Sequence, residues 1–253
     1  MAREGDGTTG NYGSGACAQL TTDLTFAAWV NPDAVEEGGI CTWAESPGHA
    51  TQDKAFGIDG TGKAYGYIFD GASTNVQFDT VLTTGVWSHI AFRHTPTSGS
   101  AGNGECWLNG VSDRALFSGI GFSYGGYSSP ELIVHRAQTN TVADSGFNGK
   151  IAELAIYSSA LLESEIALLA AGISPMRIQP QNLFRYFPMF ASGTGLEDFG
   201  PVGTAATKTG TLTGADHPPV SPMFGHSTVP VLGRGGGGGG GGGSARRSLL
   251  GVG

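Results

Sequence analysis

The chain has 253 residues, of which 44 are glycine and 12 proline, and only 13% are charged. Hydrophobic residues make up 39%, including 13 Phe and four Trp, so the low charge does not mark disorder. No apolar run approaches the ~20 residues of a membrane-spanning helix, so no membrane partner is expected, and the acidic balance, −8 for the whole chain and −11 for residues 1–216, argues against nucleic acid as a partner.

The N-terminal MAREGDGTTG lacks the apolar core of a signal peptide, so secretion by that route is not expected. In DLTFAAWVNP, residues 23–32, Leu24, Phe26, Ala28 and Val30 alternate with Thr25, Ala27 and Trp29, the period of a strand. Pro32 cannot donate to a ladder and ends it. Cys17, Cys41 and Cys106 have neither CxxC spacing nor histidines at zinc spacing, and read as reduced, packed side chains. In WSHIAF, Ile90 and Phe92 share one face with Trp87 and His89 opposite. Asn109-Gly110 predicts a hairpin between strands near 104–108 and 111–117, because both residues tolerate positive φ. Trp29, Ile90, Phe92, Leu108, Leu154 and Ile156 form the predicted core set.

Residues 149–172, GKIAELAIYSSALLESEIALLAAG, predict a strand running into one short amphipathic helix. Ala152, Leu154 and Ile156 fall on one strand face, Glu153 and Tyr157 on the other. Ile166, Leu169 and Ala170 form the helix stripe, and Gly172 sits where a left-handed stop is wanted. The helix is expected to cover one end of a sandwich, with Leu162 at a position where Ser or Asp normally caps.

DLTFAAWVNP, GVWSHIAFRH (85–94), ECWLNGV (105–111) and GKIAELAIYSSALLESEIALL (149–169) stand in the order of the laminin-G-like jelly rolls of the concanavalin-A-like lectin/glucanase superfamily, which the chain resembles. The resemblance implies an all-β, two-sheet antiparallel jelly-roll sandwich with one short helix. Tyr186, Pro188, Asp198, Gly200, Leu212 and Gly214 match the segment that opens typical members, yet here they follow the helix. The order suggests a permuted sandwich over 1–216, with a closing strand near 183–190. That strand can close its own sheet or enter a neighbouring subunit.

After HPPV (217–220) the sequence has no period, runs through nine glycines at 235–243, and ends SARRSLLGVG. From residue 217 onward there are three arginines and no acid, which leaves residues 1–216 at −11. Residues 217–253 therefore read as an extended Gly-rich tail that docks on an acidic neighbour through Arg234, Arg246, Arg247, Leu249 and Leu250, or as a flexible linker.

Members of this superfamily commonly bind glycans or calcium at rim loops with aromatic platforms and Asp or Asn ligands. Trp43, Asp70 in FDGASTN, Tyr124 and Tyr127 are the residues that could serve, without a specific lectin or calcium motif. The competing reading puts Trp43 in the core and Asp70 in a turn with Gly71. The Glu-x-Asp-x-x-Glu strand of the glucanases is absent, and no other carboxylate pair has catalytic spacing, so no enzyme and no cofactor is expected. The whole chain further resembles laminin-G-like virion proteins of tailed bacteriophages. That implies a non-enzymatic capsid decoration or tail-associated subunit, assembled in a host cytoplasm with copies of itself and other virion proteins. The alternative is a carbohydrate-binding adhesin.

Overall fold

A computed structural model describes residues 2–7, 12–18, 20, 23–45, 52–69, 73–98, 101–121, 130–137, 145–189, 195–196, 198–201, 206–209 and 211–218. One sheet runs in the order Val111–Gly121, Ala101–Leu108, Ser88–Ser98, Leu24–Pro32, Asn148–Tyr157, Ala2–Asp6, Thr213–Ala215, with Leu183–Phe187 also paired to Asn148–Tyr157. The other runs Gly195–Leu196, Ala206–Thr209, Tyr12–Ala16, Pro130–Val134, Gly38–Glu45, Gln52–Ile58, Lys63–Phe69, Ser73–Val81, with two short strands beside it. Among the described residues, neighbours pair antiparallel except for one parallel bridge between Gly146 and Gly39. The result is a jelly-roll sandwich.

The main core lies between the sheets, because alternation turns one side of each strand inward. Leu24, Phe26, Ala28, Val30, Ile90 and Phe92 from one sheet meet Trp43, Phe56, Ile68 and Phe78 from the other. Phe26 and Phe56 stack at 5.8 Å. Leu108 is half-buried against this core. Asn109 (φ 51°) and Gly110 (φ 80°) form the predicted hairpin between Ala101–Leu108 and Val111–Gly121.

The helix, Glu163–Ala170, covers the outer face of the first sheet rather than an end of the sandwich. Ile166 and Leu169 pack there with Ala27, Ala91, Trp107, Tyr157 and Tyr186. Leu162 offers no side-chain cap; its N–H instead donates to Glu165 Oε2 at 2.8 Å. At the other end Gly172 (φ 84°) donates to Leu169 O and Ile173 to Leu168 O, a Schellman stop.

Two positions depart from the predicted inward-facing set. Trp29 is half-buried on the outer face beside His89, ring centroids 5.5 Å apart, because its parity is that of Ala27 and not of Phe26. In Asn148–Tyr157, Ala152 lies opposite Trp29 and Ala155 opposite Ala27, so Glu153 and Leu154 together face one residue of the neighbouring strand. This bulge shifts the register by one. Ile151, not Ala152, shares the inward face with Leu154 and Ile156.

Leu183–Phe187 and Ala2–Asp6 lie end to end along one edge of Asn148–Tyr157. Phe187 stands opposite Leu154, and Arg3 opposite Ile151. Asp198 ties this junction down: it accepts from Arg185 Nη1 (2.6 Å), Tyr186 N (2.9 Å) and Gly200 N (2.8 Å). Gly200 is needed there, since a Cβ would stand 2.8 Å from Phe184 O.

Candidate functional site

Trp43, one of the four residues the sequence offers to a glycan, belongs to the core. It is 1% exposed on a strand flanked on both sides, and its ring packs against Phe184 at 5.5 Å. The apolar side of Gly38–Glu45 faces the opposite sheet, so Trp43 presents no platform to solvent. Asp70, Tyr124 and Tyr127 lie outside the described residues, as do Arg234, Arg246, Arg247, Leu249 and Leu250.

The structure instead opens a cleft of about 260 Å³ lined by Glu4, Gly5, Asp6, Asp33, Asn148, Thr211 and Thr213. Cross-strand pairing assembles it: Asp6 stands opposite Asn148, and Glu4 stands opposite both Lys150 and Thr213. Asp33 arrives from the end of Leu24–Pro32, where its N–H donates to Asn148 O at 3.0 Å. Gly149 permits that approach, because a Cβ would stand 2.4 Å from Asn31 O. Lys150 Nζ sits 2.9 Å from Asp33 Oδ1 and 3.6 Å from Glu4 Oε1. The Asp33 hydrogen bond, together with the two acidic charges, holds this ammonium above the usual lysine range. The lining thus offers carboxylate acceptors, an amide that donates and accepts, and two hydroxyls. Sequence reasoning missed these residues. Only cross-strand register brings them together, so no local motif marks them.

A second polar cluster lies on the outer face of the same sheet. Glu153 takes φ 52° at the bulge, a left-handed conformation unusual for glutamate. Its carboxylate accepts from the Tyr186 hydroxyl, and its Oε1 is 3.0 Å from His217 Nε2. Burial, then the Glu153 charge, pushes the Tyr186 phenol up. Trp29, His89, Glu153, Leu169 and Gly172 line a small cavity beside it, of about 10 Å³, the size of one water. No substrate fits there. Among the described residues, no group of three or more His, Cys, Asp or Glu side chains is placed to hold a metal ion.

The family described as laminin G-like, concanavalin A-like lectin/glucanases superfamily, matches residues 6–167, more than half of the chain. The chain belongs to this family. Among solved structures, this lectin-type sandwich is similar to a protein of Bacteroides ovatus described as carbohydrate-binding, with TM-score 0.61 and 16% identity. The match covers 87% of this chain and 62% of that one, so the chain spans less than two thirds of its relative. A heptameric SAP-like pentraxin of Limulus polyphemus is similar at TM-score 0.52 and 13% identity, over 69% of this chain and 83% of that one. At these identities the likeness is one of fold. No curated protein sequence matches the chain.

Proposed function

We propose that the sandwich is a carbohydrate-binding module that acts without catalysis. The observation that carries this reading is the cleft of about 260 Å³ whose lining is carboxylate, amide and hydroxyl, groups that pair with sugar hydroxyls. Its volume approaches the ~300 Å³ at which small-molecule sites begin. Similarity over 87% of the chain to a protein described as carbohydrate-binding supports the reading. With Glu4, Asp6 and Asp33 against Lys150, the cleft is suited to neutral or amino sugars and repels acidic ones. The test is a panel of immobilised neutral, amino and sialylated oligosaccharides, probed with wild type and with the Asn148→Ala and Thr213→Ala variants. Retention by wild type and loss in both variants is the expected result. Retention that both variants keep removes the cleft, and no retention by wild type removes the function.

The setting we propose is a virion surface, where the module sits among copies of itself and other virion proteins. The acid-free segment after residue 217, against −11 for residues 1–216, favours attachment to an acidic neighbour. Comparing the occupancy of full-length and 1–233 chains on assembled particles tests this. Equal occupancy at moderate salt overturns it.

A further inference from the structure

We infer that Glu153 is a positioning residue for the cleft, acting through His217 on the segment 211–218 that forms one cleft wall. The inference rests on the carbohydrate-binding reading for its ligand, but its mechanical half stands on geometry alone. Thr211 and Thr213 line the cleft, and four residues past Thr213 the same segment reaches Glu153.

The strand of this segment lies at the edge of its sheet. Among the described residues, Thr213–Ala215 is the last strand of its sheet and pairs at three positions, with Ala2, Arg3 and Glu4. Arg3 Nη1 donates to Leu212 O at 3.2 Å, and the Leu212 and Pro218 side chains are buried. A three-pair edge strand frays readily. A charged hydrogen bond at its far end therefore controls how long the wall stays in place.

His217 is suited to that work. Its Nε2 lies 3.0 Å from Glu153 Oε1 and its Nδ1 lies 3.1 Å from Pro218 O. Both neighbours are acceptors, so a ring nitrogen that carries a proton faces a group to donate to. The opposite carboxylate oxygen is occupied by the Tyr186 hydroxyl, which fixes the carboxylate's orientation. Packing does not require this glutamate. A buried carboxylate at φ 52° in a strand carries both backbone strain and desolvation, and neither is needed to fill a core. The bulge turns the side chain out of the inter-sheet core to the face where His217 arrives.

The experiment uses the full chain and four forms: wild type, His217→Ala, His217→Gln and Glu153→Gln. Amide hydrogen exchange is followed over residues 211–218 and, as a control, over Gln52–Ile58 and Lys63–Phe69. In His217→Ala, exchange over 211–218 should quicken by at least about tenfold while the control strands are unchanged. His217→Gln keeps a donor toward Glu153 and should recover most of the protection. Retention on the oligosaccharide panel should fall and recover in parallel, with the denaturant midpoint little moved. Unchanged exchange over 211–218 in a folded His217→Ala chain overturns the latch. A loosened segment with undiminished retention overturns its coupling to the cleft. Should Glu153→Gln fail to fold, the histidine pair still decides, because His217 is 17% exposed near the end of the described chain. A wild type that binds no oligosaccharide overturns the reading of the cleft, while exchange still decides the latch.

Discussion

The Tyr186 hydroxyl donates to the carboxylate of Glu153, so a residue of the closing strand satisfies a residue held at φ 52° in the bulge of its neighbour. Tyr186 is fully buried and packs edge-on against Phe199, which keeps its ring from following a lost acceptor. Backbone strain, bulge and closing strand are thus joined in one contact.

That contact sets the order of two substitutions. Glu153→Ala keeps the left-handed backbone and takes away the carboxylate that accepts from the buried phenol, a loss of about 1–3 kcal/mol. Glu153→Gly loses the same acceptor but removes a strain of roughly 1–2 kcal/mol. Glycine should therefore be the more stable of the two by about 1 kcal/mol in urea unfolding, the reverse of the usual order inside a strand. An alanine variant as stable as the glycine variant removes strain from the account.

Phe92 and Gly66 predict a coupled pair. The Phe92 ring fills the place where a Gly66 Cβ would stand, 2.2 Å from its Cγ, and Phe92 is fully buried. Phe92→Ala should cost about 3–5 kcal/mol through the cavity it leaves. Gly66→Ala alone should cost about 1–3 kcal/mol by overpacking. Together they should cost less than the sum by about 1 kcal/mol, because the cavity accepts the new methyl. Strict additivity in a double-mutant cycle would show that the two positions do not meet.

The strands, the Asn109-Gly110 hairpin and the single helix were legible because alternation, turn chemistry and a glycine stop act over a few neighbouring residues. The same locality explains the failures. Period-2 reading carried Ala152 onto the wrong face, since nothing around Glu153 marks the bulge with the glycine it usually takes. For Trp43 it weighed rim against core, and the core reading holds because Gly38–Glu45 is flanked on both sides. Asp6, Asn148 and Thr213 are distant in sequence and meet only through cross-strand register, so the cleft has no local signature. Asp198 and Gly200 are the opposite case: both stood out in the sequence, and both prove to hold the closing strand.

Arg185 and Asp198 form a buried pair, 2% and 0% exposed, at 2.6 Å. Asp198 also accepts from two backbone N–H groups, while Arg185 Nη2 donates to Ala16 O at 2.9 Å. Removing the acid leaves a buried guanidinium and two orphaned donors, so Asp198→Ala should cost about 3–5 kcal/mol. Asp198→Asn keeps an oxygen for the backbone donors and should cost less. If Asn proves as damaging as Ala by chemical denaturation, the ion pair matters and the backbone bonds do not.

The acid response follows from three buried histidines. Burial lowers His89 to about 3, His94 to about 4 with help from Lys54, and His135 to about 3 with help from Arg3. The ordinary value is 6.5. Above that pH the three rings are neutral in folded and unfolded chains alike, and their contribution to stability is complete. As pH falls from 6.5 toward 3–4, the unfolded chain binds protons that the folded chain refuses. Stability is then lost at up to about 1.4 kcal/mol per pH unit for each ring, and the loss ends below the folded-state values. The urea midpoint should therefore be highest above pH 7 and fall steeply between pH 6 and 4. Exposed carboxylates add their own slope near the lower end, so the decisive comparison is with His89→Phe, which keeps an aromatic ring beside Trp29 and removes one titration. Between pH 6 and 4.5 the variant should show a slope shallower than wild type by about one third. An unchanged slope would mean that His89 takes up its proton in the folded state and that its burial does not oppose charging.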